Sequence, residues 1–496
     1  MFIQQAIPYT IIIPIIFGVF IFIFNKAFLL CKILNILTPI LLFTYSCITI
    51  QYLYIEKISE IYYNMGNFNQ IIGIRLKLDY FSAFGLFFIS FLHLLNTSLQ
   101  NFKEMKNIDI TRLGFINIMI GGLCGMILTD DLFNLYVFVE IVSIVSYILS
   151  INKWNRKSYP VALEYLIVGS IASCFILFSI GFAYANFGTL NITEIHNLIS
   201  EMFNYGDLII YSMMFGVIGF LIKTGIYPFH GWYLNIFKSI TPSTMCLFSY
   251  ASSQIAILVI VKLIYMLYGI QFMNSAMQYF YNLLILMGIA SIIFGSIKAI
   301  FAKTLVGVMV WSSVSQVGYL MMGFVSDNDI IVTGSLMQIF ANALSKILIF
   351  RIYQKMVYAS GLNNLIEIKE IGRFDFSGIR MPLLLILINL AGLPMAIGFM
   401  AKIYMVIGFV SEEKIGSFIV ILFSSILSVV YIFRIIDGVI IGNKPGLETN
   451  LKFYKIKISL GEKIIYIIMS GIIIFSPFVK CFNQYIKVTV KYILNS

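Results

Sequence analysis

The sequence predicts an all-α membrane protein of about fourteen transmembrane helices, and three observations carry that expectation. Of its 496 residues, 60% are hydrophobic and only 11% charged, whereas an ordinary soluble domain is about a quarter charged. Apolar runs long enough to cross about 30 Å of hydrocarbon, roughly 20 residues each, follow one another from Ile7 to Val479. The longest polar stretches between them, near Tyr358–Gly378 and Gly438–Lys463, are too short for a soluble domain.

The spans are expected at residues 7–24, 28–54, 76–98, 111–129, 132–151, 161–187, 207–227, 240–268, 279–302, 305–324, 329–357, 379–410, 414–437 and 463–480. The first run, IPYTIIIPIIFGVFIFIF, has no basic region ahead of it and no small-residue cleavage site behind it, so it reads as a retained span and not a signal peptide. Most of the 33 Lys and Arg fall in odd-numbered loops, among them Lys103, Lys106, Arg112, Lys153, Arg156, Lys157, Arg373 and Lys457. Cytoplasmic loops carry the basic excess, which puts the chain in a bacterial inner membrane with both termini outside the cytoplasm. The formal charge of +11 is thus a topology signal spread through loops and not the footprint of nucleic acid.

Cys31, Cys47, Cys124, Cys174, Cys246 and Cys481 follow no short repeat spacing, so neither a disulfide framework nor a zinc or iron–sulfur site is indicated and they read as small buried apolar residues. His93, His196 and His230 are too dispersed for a metal site. With no room for a redox or nucleotide-binding domain, the chain is expected to hold no cofactor and no catalytic centre of its own.

Two spans carry helix breakers in midcourse: Gly225 and Pro228 in KTGIYPFH, and Gly392 and Pro394 in NLAGLPMAIG. Proline removes a backbone donor and clashes with the preceding turn, and in lipid the freed carbonyl needs a partner in protein or in a hydrated cavity. Paired interrupted helices point to inverted repeats around a central pathway. Lys223 precedes its proline by five residues while Lys402 follows its own by eight, so spacing alone does not establish the repeat.

A charged side chain at the centre of a membrane helix costs about 2.5–3.5 kcal/mol on insertion scales, so each needs a partner or a task. Glu140 shares a helix face with Ser143 and Tyr147; it is either a proton-accepting carboxylate or half of a structural ion pair. Lys223, beside the seventh-span break, is a proton carrier paired with Glu140 or a lysine reaching the surface from a helix end. Lys346 continues a stripe with Gln338 and Asn342 at intervals of four, which suits a hydrated relay or polar helix packing. Lys402, after the second break, is an outlet group or a lysine stretching toward Glu412 and Glu413. His230, two residues past Pro228, is a further pathway candidate. Glu164, Asp79, Asp130 and Asp131 fall near span ends, where charge is cheap.

In this order and spacing, the segments LTDDLFNLYVFVEIVSIVSY, IKTGIYPFHGWY, KTLVGVMVWSSVSQVGYLMMGF, NALSKILIF and NLAGLPMAIGFMAK resemble the antiporter-like proton-translocating subunits shared by NADH-quinone oxidoreductase (membrane subunits M and N), membrane-bound hydrogenases and Mrp cation/proton antiporters. The resemblance covers roughly residues 70–410, and the run Asp131–Glu140 is most similar to the D subunit of the Mrp antiporter. It implies fourteen helices, with N-terminal helices in residues 1–110, inverted five-helix units at 111–268 and 279–437, broken helices seven and twelve, and a C-terminal loop, helix and tail at 438–496. It makes Glu140 the fifth-helix carboxylate and Lys223, Lys346 and Lys402 the lysines of helices seven, eleven and twelve.

Two departures stand out. Where the family carries a central lysine in helix eight, this chain has Gln254 or Ile255, with Lys262 about two turns later; where helix eleven carries a histidine, Gln338 and Asn342 are nearby. An amide holds water but does not change charge near neutral pH. The expected function is that of the D subunit of an Mrp-type monovalent cation/proton antiporter, partnered by other membrane subunits. Proton pumping within an NADH-quinone oxidoreductase or hydrogenase, and a non-transporting structural role, are the alternatives.

Overall fold

A computed structural model of the chain describes residues 2–67, 73–100, 110–152, 155–202, 206–361, 366–441 and 453–495. Lys103, Lys106 and Lys153 of the orientation argument, parts of the two long loops, and the Cys481 side chain lie outside the described residues. Among the described residues thirteen helices are long and apolar enough to cross a membrane. The shorter apolar helices Arg380–Ala391 and Ile397–Ser411 are the halves of the broken twelfth span, completing fourteen in the expected order.

Large apolar side chains such as Phe178, Phe301, Ile419 and Ile426 are exposed on the outside of the bundle, as a lipid-facing surface requires, while small residues let helices approach inside it. A Cβ on Gly18 would lie 2.7 Å from the Gly114 carbonyl, locking helix one to helix four; a Cβ on Gly318 would lie 2.5 Å from the Gly288 carbonyl, locking ten to nine. Helices eight (Pro242–Tyr268), ten (Leu305–Phe324) and eleven (Asp329–Ser360) are innermost, with 94%, 89% and 94% of their apolar windows buried. Polar residues on these three must therefore find partners within the protein.

Several elements differ from expectation. Helix three begins at Tyr80, because Arg75–Asp79 is a strand (β2) paired antiparallel with Glu60–Asn64 (β1). Asp79 then starts the helix: its carboxylate accepts the Ser82 N–H, and Ser82 Oγ accepts the Asp79 N–H. Asp79 and Asp130, expected at exposed span ends, are 2% and 1% exposed. Arg75 forms a buried ion pair with Asp130 and donates to Asn191 Oδ1 at 2.8 Å, so this end of the bundle is fastened by charge inside it. Glu164, expected to face water, accepts both of its hydrogen bonds from Asn235 of the seventh helix, at 3.0 and 3.1 Å.

The eighth helix is interrupted at Ser252 and ends in a π-helical segment, Lys262–Tyr268. The expected tail is a helix, Lys480–Asn495, whose Ile486, Thr489, Val490 and Ile493 are buried; apolar residues at helical spacing hold it although Lys480, Lys487 and Lys491 lower its hydropathy. On the opposite side, short parallel strands Phe374–Asp375 and Tyr454–Lys455 join the two long loops. Cys31, Cys124 and Cys246 are buried as expected, whereas Cys47 and Cys174 are exposed; all five are free thiols.

Candidate ion-translocation site

Helix five, Leu132–Ser150, starts at Asp131, whose carboxylate caps the Asn134 N–H at 2.7 Å. Glu140 falls at its middle, partly buried, with Oε1 sealed from solvent and without a protein partner. One turn on, Ser143 Oγ accepts a 2.8 Å hydrogen bond from Lys223 Nζ. Lys223 thus touches, through a hydroxyl, the helix face that carries Glu140.

Lys223 belongs to the last turn of the seventh helix's first half, Asp207–Thr224. The chain leaves that helix through Gly225 at φ +71°, a left-handed conformation that costs other residues a steric clash, and resumes as Gly231–Ser239. The Ile222 carbonyl at the break accepts the Trp232 indole N–H at 3.0 Å. Lys223 is therefore not needed to satisfy that carbonyl. A cavity of about 50 Å³ opens beside it, lined by Ser143, Ser146, Tyr147, Tyr165, Lys223 and Ser252 among others.

Lys346 lies midway along helix eleven, 1% exposed, and donates to Ser313 Oγ of helix ten at 2.6 Å. On the same stripe both side-chain amide atoms of Asn342, and Gln338 Oε1, are buried without a partner, while Gln338 Nε2 donates to Gln316 Oε1. Lys402 lies near the start of the twelfth helix's second half, 4% exposed. Its Nζ donates to the Ala391 carbonyl at 3.3 Å and to Ser428 Oγ at 3.0 Å, above the Tyr319 ring. The break turns on Gly392, at φ +72°.

Helix eleven, which carries Lys346, packs against both halves of the twelfth helix, which carries Lys402. Its Gly334 packs under the Ala401 carbonyl, and Asn389 Nδ2 reaches the Ala341 carbonyl and Ser345 Oγ. The Gln338–Asn342 stretch therefore runs alongside the twelfth-helix break, between the levels of Lys402 and Lys346. Unpaired buried amides are suited to ordered water.

The structure thus joins Lys223 to the helix face that carries Glu140, and sets the Gln338–Asn342–Lys346 stripe of helix eleven against the broken twelfth helix that carries Lys402. Gln254 is 1% exposed with its Oε1 unpartnered. His230 stands apart, stacked among Tyr227, Phe294 and Trp311 at ring-centroid distances of 5.3–5.4 Å. Sequence reasoning missed Trp232, Ser313 and Ser428, and left unassigned Lys262, which is buried and donates to the backbone carbonyls of Ile127 (2.9 Å) and Thr129. Serines in apolar helices carry no signal of their own, since most satisfy their hydroxyl on their own helix.

Comparison with known proteins places this arrangement. The family described as NADH:quinone oxidoreductase/Mrp antiporter, TM matches residues 129–429, the stretch holding Glu140, Lys223, Lys346 and Lys402. NADH-quinone oxidoreductase subunit N of Desulforudis audaxviator is 33% identical over 334 residues, covering 65% of this chain and 64% of that protein. The D subunit of the Na(+)/H(+) antiporter of Bacillus subtilis is 23% identical over 86% of this chain and 85% of its own. Among solved structures, a chain of the Mrp complex from Dietzia superposes with a TM-score of 0.86 at 17% identity, covering 100% of this chain and 98% of that one. A chain of the archaeal membrane-bound sulfane sulfur reductase superposes with a TM-score of 0.87 at 20% identity, covering 99% and 98%; at such identities both speak for the fold. With the family's sequence pattern spanning more than half of the chain and its fold reproduced end to end, this multi-pass membrane protein belongs to the NADH:quinone oxidoreductase/Mrp antiporter transmembrane family.

Proposed function

We propose that this chain is a proton-translocating subunit of a larger complex, working through Glu140 and Lys223 as a switching pair and Lys346 and Lys402 as the onward carriers. The observation that carries this reading is the pair Lys346 and Lys402, 1% and 4% exposed and partnered by hydroxyls and a carbonyl but by no carboxylate, together with Lys223 bonded to a serine on the Glu140 face. A structural role alone gives no reason to keep the Lys346 and Lys402 ammonium groups out of water without a counter-charge. In the mechanism, a proton or cation arriving beside Glu140 weakens its hold on Lys223, and the released lysine passes a proton toward Lys346 and Lys402. The five-helix units 111–268 and 279–437 each contribute one broken helix to this path.

For the complex, the reading follows the motif at Asp131–Glu140: a monovalent cation/proton antiporter of Mrp type, with this chain in the place of its D subunit. The breadth of the match to the Bacillus subtilis protein supports it. The second reading, a proton-pumping subunit of an NADH-quinone oxidoreductase, is favoured by the higher identity to a subunit N. Either way the partners are other membrane subunits in a bacterial inner membrane.

The test is the purified complex in lipid vesicles containing a pH dye. An imposed sodium gradient drives internal pH change in an antiporter; NADH with a quinone drives it in a dehydrogenase. Glu140→Ala should abolish the response in the active arm, and an unchanged response would remove the pathway.

A further inference from the structure

The polar stripe of helix eleven does not stop at Lys346. Continued at the same interval of four, it meets Phe350, then Gln354, then Tyr358, which is 55% exposed near the loop joining helices eleven and twelve. Gln354 is buried, and its Nε2 donates to the Tyr358 hydroxyl at 3.4 Å. A polar lane thus leads from that surface toward Lys346, winding by about 40° a step. Its one apolar gap is Phe350, buried, with its ring centroid 5.6 Å from that of Phe237 in the second half of helix seven.

Beside this gap stands Arg351, 2% exposed. Its Nη1 donates to Gln354 Oε1 at 2.6 Å, and its Nη2 donates to the Asn96 carbonyl and to Asn96 Oδ1 of helix three, both at 2.7 Å. Arg351 Nε has no partner, nor has Nε2 of His93, one turn before Asn96, whose Nδ1 meets the Tyr250 hydroxyl of helix eight at 3.2 Å. Every acceptor of the guanidinium is a neutral amide, and among the described residues it forms no ion pair. Helices three, eight and ten hold no Asp or Glu, and helix eleven holds only Asp329 at its far end. The carboxylate that reaches this end of helix eleven, Glu462, is engaged by Lys355 at 2.6 Å and by Ser459. A staple between helices three and eleven needs only hydrogen bonds, which a neutral amide supplies at less cost in lipid; a guanidinium adds a charge that it never gives up.

We propose that Arg351, with Phe350 at its side, seals the helix-eleven lane, so that protons do not leak between Lys346 and the surface at Tyr358. This rests on the proton-translocation reading above. A fixed positive charge in a narrow polar lane turns back protons and other cations while tolerating water, and the unpartnered Arg351 Nε and His93 Nε2 are suited to hold such water. Arg351 supplies no hydrogen bond to Lys346, whose partner is Ser313; it acts through its field. An ungated lane of this kind would dissipate the gradient that the driven route builds.

The test uses the intact complex in vesicles with an interior pH dye, given a pH step without sodium gradient, NADH or quinone, the membrane potential being clamped with potassium and valinomycin. Wild type should hold the step. Arg351→Gln removes the charge and should let it decay at least about tenfold faster, while Arg351→Lys keeps the charge and should hold it. Asn96→Asp leaves the guanidinium in place and sets a counter-charge against it; this would strengthen a structural staple, yet should leak as Arg351→Gln does. A step held by Arg351→Gln, with driven transport lost in Glu140→Ala, overturns the seal and leaves the translocation reading standing. A leaking Arg351→Lys also overturns it, since the bonds and not the charge would then hold the gradient. A wild-type driven rate in Glu140→Ala removes the translocation reading and the seal with it. Should Arg351→Gln fail to assemble, Asn96→Asp decides: a leak supports the seal, and a held step overturns it.

Discussion

In the seventh helix the chain leaves its helical path at Gly225, and the Ile222 carbonyl accepts the Trp232 indole N–H and the Gly225 N–H; in the twelfth it leaves at Gly392, and the Ala391 carbonyl is taken by Lys402 and by Ser428 Oγ, the latter at 2.7 Å. Both breaks solve the same problem of a backbone acceptor stranded in apolar surroundings. In the first neutral groups do the work and Lys223 is left to the Ser143 hydroxyl and a cavity, on the face that carries Glu140. In the second the lysine shares the work with Ser428, resting on the negative end of the preceding half-helix. The difference teaches that a broken helix bearing a lysine is not one device: one lysine is poised between partners, the other is tethered.

Glu140→Gln attacks the poised lysine directly and has the largest expected effect. With the carboxylate gone, Lys223 keeps a neutral hydroxyl but loses its switch, and vesicle proton transfer should fall about a hundredfold or more. Trp232→Phe makes the seventh break resemble the twelfth. It leaves the Ile222 carbonyl only the long Gly225 N–H bond, so Lys223 should move onto it and the rate should fall about tenfold, while stability drops by about 1 kcal/mol for the lost hydrogen bond, read by thermal denaturation of the complex. Gln254→Lys supplies a titrating group in the middle of helix eight; it should speed transfer several-fold where passage between the halves limits the rate, by raising the effective molarity of a proton carrier there.

Ser428→Ala loosens the tethered lysine. Lys402 would keep the Ala391 carbonyl, so the loss should be about 1.5 kcal/mol of stability, with a smaller change in rate than in the Trp232 variant. The weakest expected effect lies at the hairpin, where Tyr492 of the C-terminal helix donates to Glu60 Oε1 at 2.6 Å and to Asp79 Oδ2 at 3.1 Å. Burial alone would raise the Glu60 carboxyl, but hydrogen bonds from Tyr492, Tyr62 and Lys77 bring it below its ordinary value. A depressed carboxyl stabilises the fold above its unfolded value of about 4.3, and that contribution is lost as pH falls through the lower folded value. Limited proteolysis should therefore release the Lys480–Asn495 segment only under strong acid, and Glu60→Gln should remove the pH dependence.

Much of this was legible in the sequence, for reasons that can be named. Apolar runs are fixed by bilayer thickness, Gly225 and Gly392 by the need for a positive φ, and the four charges by the cost of placing them in lipid. The interruption of helix eight was not legible, because Ser252 is neither glycine nor proline and its backbone departure is set by packing. Nor was the burial of Asp130, whose partner Arg75 lies 55 residues away, or the C-terminal helix, whose lysines mask an apolar face. The hydroxyls serving Lys223, Lys346 and Lys402 come from helices five, ten and thirteen, and no local pattern marks Ser143, Ser313 or Ser428 as their partners.

The central claim, that Glu140 and Lys223 act as one switch, is tested most directly by proton transfer in vesicles carrying Glu140→Gln, Lys223→Met and the double variant. A single switch predicts strong non-additivity, the double variant being no slower than the slower single one. Rates that multiply, each substitution adding its full cost to the other, would contradict it.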